Sequence, residues 1–181
     1  MTLGSLDVEE GMGERSQPQA GELEELIRPL LGRAAAYALA LVRNREDAED
    51  AVQEATVKAY LGFGRHDRSR SFKAWWFAIV RNCCLELLRK RRRRPPAASI
   101  DPAGLPSREQ ELWEEFEGRE ALNSALDQLS PVQREVIQLR YFGDCSYQDI
   151  AATLAIPRGT VMSRLHAARQ ALLATYRKDI R

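Results

Sequence analysis

Two stretches of this chain carry side chains whose types and spacing suit a polyanion. Between Phe72 and Arg94 the rings of Phe72, Trp75 and Trp76 stand upstream of six consecutive basic residues, Arg89 to Arg94. Rings and cations in that combination hold single-stranded nucleic acid, since each base stacked on a ring contributes about 1–3 kcal/mol while Arg and Lys neutralise phosphates. If about six phosphates were engaged, affinity would fall with salt at a log–log slope of around −5. The second stretch, Tyr147 to Arg169, reads as a helix-turn-helix: a short helix with small Ala151 at the contact, a three-residue turn at Ala155-Ile156-Pro157, and a longer helix. With Val161, Leu165, Ala168 and Leu172 facing inward, Arg158, Thr160, Met162, Ser163, His166 and Arg169 lie on or near the outer face, where Arg can take guanine bidentately and Ser or Thr can bond bases or phosphates. The plainer alternative is a helical hairpin with a solvated basic face. A third cluster, Asp47, Glu49, Asp50, Gln53 and Glu54, gives one helix an acidic outer face, either solvated or a dock for a basic protein helix. Metal-assisted catalysis is not supported, because nothing supplies further ligands and no Ser, Cys or Lys has an activating base nearby in sequence.

Composition agrees with these exclusions and sharpens the polyanion reading. The chain has 181 residues, 44% hydrophobic and 29% charged, enough for one full domain or two small ones. Its net charge of +1 conceals segregation: −5 over residues 1–30, −1 over 31–60, +9 over 61–94, −6 over 95–130 and +4 over 131–181. Two basic blocks between acidic ones fit a two-site polyanion binder. No apolar run approaches the ~20 residues of a membrane span, and the acidic start is no signal peptide, so a cytoplasmic protein without membrane insertion is expected. Cys83, Cys84 and Cys145 are an odd number without metal spacing, and the two His add no zinc site. Cys83 lies on an apolar stripe, where thiols are mostly inert.

The elements that must position these groups are all helical. Residues 1–21 carry few large apolar residues and are expected to be a mobile tail. Leu23, Leu26, Ile27, Leu30, Leu31, Ala34, Tyr37 and Leu41 predict one core-facing helix with an irregularity at Pro29. Ala48, Val52, Ala55, Ala59 and Tyr60 predict the inner stripe of a second, broken by Gly62 and Gly64 ahead of a basic loop, Arg65 to Ser71. A third helix runs from Phe72 toward Pro95; Trp76 shares its stripe with Ile79, Val80 and Cys83, and adjacent Trp75 points about 100° away, which leaves one ring for a surface. Pro95, Pro96, Pro102 and Pro106 mark a linker over 95–110. Beyond it, over 111–181, an acidic helix carries Leu112, Phe116, Leu122, Leu126 and Leu129. Ser130-Pro131-Val132-Gln133 then opens a helix with Val132, Val136, Ile137, Leu139 and Tyr141 as apolar positions, closed by Gly143. Ser146 with Asp149 opens the next. The fold class is all-α: two small helical domains, 22–94 and 111–181, the second a helix-turn-helix.

Two independent motif sets in order carry a family resemblance. Asp47-Ala-Glu-Asp-Ala-Val-Gln-Glu-Ala55, Ser71-Phe-Lys-Ala-Trp75 with Ile79-Val-Arg-Asn82, and a basic helix end are followed by Ser130-Pro-x-Gln-Arg-Glu-Val136 and Ile156-Pro-Arg-Gly-Thr-Val-Met-Ser-Arg164. Over about residues 22–177 the chain resembles bacterial RNA polymerase sigma factors of the small extracytoplasmic-function class. The resemblance implies a promoter-specificity subunit with no cofactor and no metal. It implies that Asp47, Asp50, Gln53 and Glu54 dock on the β′ clamp helices of core polymerase, which also offers its β subunit. Phe63, Arg65, His66, Arg68, Arg70, Trp75 and Asn82, with Arg89 and Arg92, would melt the minus-ten element and hold an extruded base. Arg158, Thr160, Met162, Ser163, His166 and Arg169 would read the minus-thirty-five duplex, and an anti-sigma factor would be a partner. Glu86 stands where Asp is commoner, Ala155 replaces a turn Gly, and Met162 and Ala167 replace polar residues, shifting specificity toward Ser163, His166, Arg169 and DNA shape. The acidic stretch 101–127 is expected to compete with DNA for the two basic surfaces and hold the free protein inactive. The competing function is a stand-alone helix-turn-helix repressor or activator, which would have little use for the acidic face or the aromatic-basic block.

Overall fold

The computed structural model describes residues 17–93 and 124–179, with side chains described over 21–93 and 124–174. Its helices are α1 (Gln17–Ile27), α2 (Leu31–Val42), α3 (Arg45–Gly62), α4 (Phe72–Arg93), α5 (Pro131–Tyr141), α6 (Tyr147–Leu154) and α7 (Arg158–Asp179), with single 3₁₀ turns at Arg28–Leu30 and Phe63–Arg65 and a helical turn at 124–127. No strand occurs among the described residues. The acidic segment with Leu112, Phe116 and Leu122, the linker over 95–110 and the first sixteen residues lie outside the described ones.

Local chemistry explains the boundaries. Pro29 cannot donate a helical N–H, so the helix expected over residues 22–41 is two helices joined by the 3₁₀ turn, and its first turn begins at Gln17, inside the segment expected to be tail. Asn44 caps α3 by accepting the Asp47 N–H at 2.9 Å. The Ser130 N–H donates to Gln133 Oε1 at 3.1 Å ahead of Pro131, and Ser146 and Asp149 close a reciprocal box at 3.0 and 3.1 Å. Each such cap stabilises its helix by about 1 kcal/mol. The tight turn between α6 and α7 passes through Ala155 at φ 52°, so this Ala does bear the left-handed conformation that Gly would adopt freely.

Small residues set the packing of the first domain. Ala48, Ala51, Ala55 and Ala59 of α3 are all buried, letting α3 approach α2 and α4 closely, whereas Tyr60, expected inward, is 51% exposed. Trp76, Phe77, Val80 and Cys83 form the buried stripe of α4, and Tyr37 meets Phe77 edge to face at 5.6 Å. In the second domain Val136, Ile137, Leu139, Ile150, Val161, Leu165 and Ala168 are buried among α5, α6 and α7, but Val132 and Tyr141 turn outward, correcting their expected core role.

The two domains pack on each other, α6 against α4 and α5 against α2. Gln138 is buried and its Nε2 donates to the Ala40 carbonyl at 2.7 Å; the Thr153 hydroxyl donates to the Ala74 carbonyl at 3.2 Å. Arg81 pairs with Glu135 at 2.5 Å, Arg43 with Asp127, and Lys73 with the Asp144 carbonyl. A Cβ at Gly143 would stand 2.9 Å from both the Leu139 carbonyl and Phe77 Cε1, so the absent side chain permits this approach. Arg43 (φ 58°) and Asp144 (φ 49°), the other left-handed non-glycines of the described residues, both carry cross-domain contacts.

Candidate functional site

The loop after α3 is organised by an aromatic cluster. Phe63, His66, Phe72 and Trp75 pack together, with His66 and Trp75 centroids 4.7 Å apart and Phe63 and Phe72 edge to face at 6.1 Å. Phe63 is only 4% exposed, so it anchors the loop and does not offer a ring to a base, a correction to its expected role. Arg68 lies over the Phe63 ring at 5.5 Å and pairs with Glu22 of α1, whose carboxyl this guanidinium holds below its ordinary range. Arg70 pairs with Asp67 at 3.3 Å, and Asp67 accepts both the hydroxyl and the N–H of Ser69. Arg65, His66, Arg70 and Trp75 converge on one cleft of about 740 Å³, completed by Ala74 and Ala78 of α4 and by Gln148, Ala152 and Ala155 from the other domain. Asn82 is exposed farther along α4, and Arg89 and Arg92 lie about 20–25 Å beyond Trp75, so the basic tract is a separate patch.

On α3 the acidic residues divide. Asp50 and Gln53 are exposed. Asp47 is turned toward α4, its carboxylate 2.5 Å from Arg91 and its side chain 19% exposed. Glu54 pairs with Lys58 at 2.8 Å, and Lys58 also reaches Glu86 at 3.3 Å, which lifts the ammonium pKa above its usual value and lowers that of Glu86. Sequence reading missed that the Asp50–Gln53 stripe continues through Val57 and Leu61, 59% and 70% exposed, beside Tyr60. The signal was there: both fall off the Ala48-Ala55-Ala59 stripe.

On α7 the burial of Val161, Leu165 and Ala168 leaves Arg158, Met162, Ser163, His166 and Arg169 exposed, with Thr160 half-buried. Arg169 is held: its Nε donates to the Tyr141 hydroxyl at 3.0 Å and Nη2 to that of Tyr147 at 3.4 Å. Neither tyrosine was expected at this surface. No cluster of His, Cys, Asp and Glu suited to a metal occurs among the described residues, nor any helix long and apolar enough to cross a membrane. All three cysteines are buried, which pushes the Cys84 and Cys145 thiols up to about 12.

Comparison with known proteins adds the deciding observation. Residues 26–94 match the family model of Sigma-70 region 2, and residues 119–172 that of Sigma-70 region 4. The chain belongs to the extracytoplasmic-function sigma factors of the sigma-70 family. It is 37% identical over 162 residues to the ECF RNA polymerase sigma factor SigL of Mycobacterium tuberculosis, covering 83% of this chain and 88% of SigL. To SigW of Bacillus subtilis it is 30% identical, over 78% and 79% of the two chains. Among solved structures it is similar to the sigma factor RpoE from Bartonella quintana, determined with the anti-sigma factor NepR, at TM-score 0.65 and 29% identity over 86% of this chain and 97% of that one. CnrH, in complex with the cytosolic domain of CnrY, shares the fold at TM-score 0.69 and 24% identity, over 92% and 94% of the two chains. This sigma factor therefore directs promoter-specific transcription initiation by core RNA polymerase and is not an enzyme. A stand-alone helix-turn-helix regulator does not account for the region 2 half.

Proposed function

We propose that this sigma factor works through three distinct surfaces. The exposed stripe of α3 docks on a basic helical element of core polymerase, the β′ clamp helices, with Asp50 and Gln53 supplying charge and hydrogen bonding and Val57 and Leu61 supplying apolar contact; Asp47 and Glu54 act from the flank, through Arg91 and Lys58. The cleft of Arg65, His66, Arg70 and Trp75 receives an extruded base of the minus-ten strand, with Asn82 farther along α4 and Arg89 and Arg92 drawing in phosphates beyond it. The outer face of α7 reads the minus-thirty-five duplex in the major groove.

The observation that carries this reading is the clean division of α7, with Val161, Leu165 and Ala168 in the core and every polar candidate but Thr160 fully outward. The partner set is core polymerase, promoter DNA and an anti-sigma factor, the last supported by the similarity to RpoE, determined with NepR. The test separates the surfaces. Asp50→Arg should abolish capture by core polymerase while duplex binding persists; Trp75→Ala should spare capture and weaken melting; His166→Ala should weaken duplex recognition alone. One variant damaging all three activities equally, with its fold intact, would overturn the division of labour.

A further inference from the structure

We propose that the flank role of Asp47 is exercised on DNA: as a positioning residue, acting through Arg91, it sets how many cations at the end of α4 are free to meet phosphates. The inference rests on the assignment of that basic tract to the DNA backbone. Its starting point is the antiparallel course of α3 and α4, which sets the acidic first turn of one helix beside the basic last turn of the other. Residue numbers fall along α4 as they rise along α3, so that Asp47 meets Arg91 and Lys58 meets Glu86.

Charge is cancelled along this seam. The Asp47 carboxylate stands 2.5 Å from Arg91 Nη2, and Glu86 faces Lys58 at 3.3 Å and Lys90 at 3.5 Å, with Glu54 completing the group 2.8 Å from Lys58. Asp47 with Arg91 sums to zero, and so do Glu54 and Glu86 with Lys58 and Lys90. Arg89, Arg92 and Arg93 are exposed and pair with no carboxylate among the described residues. Three cations of the described tract are therefore left for phosphates, fewer than the six counted along the sequence. On a single strand, three phosphates contribute a log–log salt slope of about −2, half of what six would give.

Burial makes the Asp47–Arg91 pair the firmer of the two groups. The Asp47 side chain is 19% exposed against 44% for Glu86, so salt and water screen it less. Its oxygen nearest Arg91 is buried without an aligned hydrogen bond, so the attraction is of charge for charge. Arg91 leaves for a phosphate only by stranding that oxygen. Asp50, nearly one turn farther along α3, is exposed and pairs with no cation among the described residues. Two acids three residues apart thus serve different partners, Asp50 facing outward to a docking protein and Asp47 facing α4.

Salt slopes count engaged cations and so test this. Full-length variants would be compared for binding of a mixed-sequence single-stranded DNA across about 20–200 mM salt, and for capture by core polymerase. Arg89→Gln/Arg92→Gln should flatten the log–log slope by about 1.4. Asp47→Asn, which frees Arg91, should steepen it by about 0.7 and raise affinity at the lowest salt severalfold. Asp47→Glu should keep the wild-type slope, and Asp47→Asn/Arg91→Gln, which deletes the pair, should restore it. A purely structural role for Asp47 would not be repaired by that second substitution. An unchanged slope or weaker DNA binding in Asp47→Asn, with the effect of Arg89→Gln/Arg92→Gln intact, would overturn the proposal alone; loss of polymerase capture in place of the slope change would return Asp47 to docking. A slope that Arg89→Gln/Arg92→Gln leaves unchanged would overturn the assignment of the tract to DNA, and the proposal with it.

Discussion

Arg169 shows how neighbours fix a single side chain at the surface proposed to read the minus-thirty-five duplex. With Nε and Nη2 committed to the Tyr141 and Tyr147 hydroxyls, the proposed contact with DNA would fall to Nη1, a geometry suited to one hydrogen bond more than to a two-pronged grip on guanine. Tyr141→Phe/Tyr147→Phe should weaken duplex binding about three- to tenfold, uniformly across sequences, as for a phosphate contact; a loss confined to one base position in a binding-site selection would assign Arg169 to base readout. Tyr37 makes the opposite point, a buried hydroxyl without a protein partner whose pKa burial pushes well up. Tyr37→Phe should leave stability unchanged or raise it by about 1 kcal/mol, read by denaturant melts. Residue roles were legible in the sequence where a stripe decides exposure, as for Val161 against Met162. They were not legible where tertiary packing decides: Phe63 looked available beside a basic loop, yet its burial depends on Phe72, Trp75 and His66 meeting it from a later helix.

Elements were legible where their signals are local. The caps at Ser130 and Ser146 and the break after Gly62 involve residues at most four apart, so the sequence holds both partners. The direction of α3 was harder, because alanines pack by closeness and not by bulk: counting large residues turned Tyr60 inward, whereas Ala51 is the buried one. The consequence is an exposed apolar half-stripe, and Val57→Ser/Leu61→Ser should weaken core polymerase binding about tenfold while leaving the melting temperature within a few degrees. The α6–α7 turn carries a second expectation. Ala155 at φ 52° pays the left-handed cost, so Ala155→Gly should stabilise the chain by about 0.5–1 kcal/mol after the added freedom of the unfolded state is counted.

At the scale of the whole molecule, the two helical domains pack on each other through α6 against α4 and α5 against α2. That packing was not legible in the sequence, because Arg81 with Glu135 and Arg43 with Asp127 are 54 and 84 residues apart and carry no local signal. The charge pattern along the sequence pointed to the acidic stretch 101–127 as a competitor for the DNA surfaces; of it only residues 124–127 are described, and there Asp127 bridges Arg43 and Arg134. Hydrogen bonding from Arg43 holds the Asp127 carboxyl below its ordinary 3.8, so its contribution to the contact between the domains is full above that value and is lost as pH falls through the lowered one. Domain separation, followed by small-angle scattering, should therefore begin only below about pH 4 at low salt. The central claim remains that this chain gives core polymerase its promoters. The most direct test is run-off transcription from fragmented genomic DNA of the source organism, with core polymerase alone, with this protein, and with Asp50→Arg. Discrete new transcripts that vanish with Asp50→Arg are the expected result; specific duplex binding with no new transcripts would contradict it.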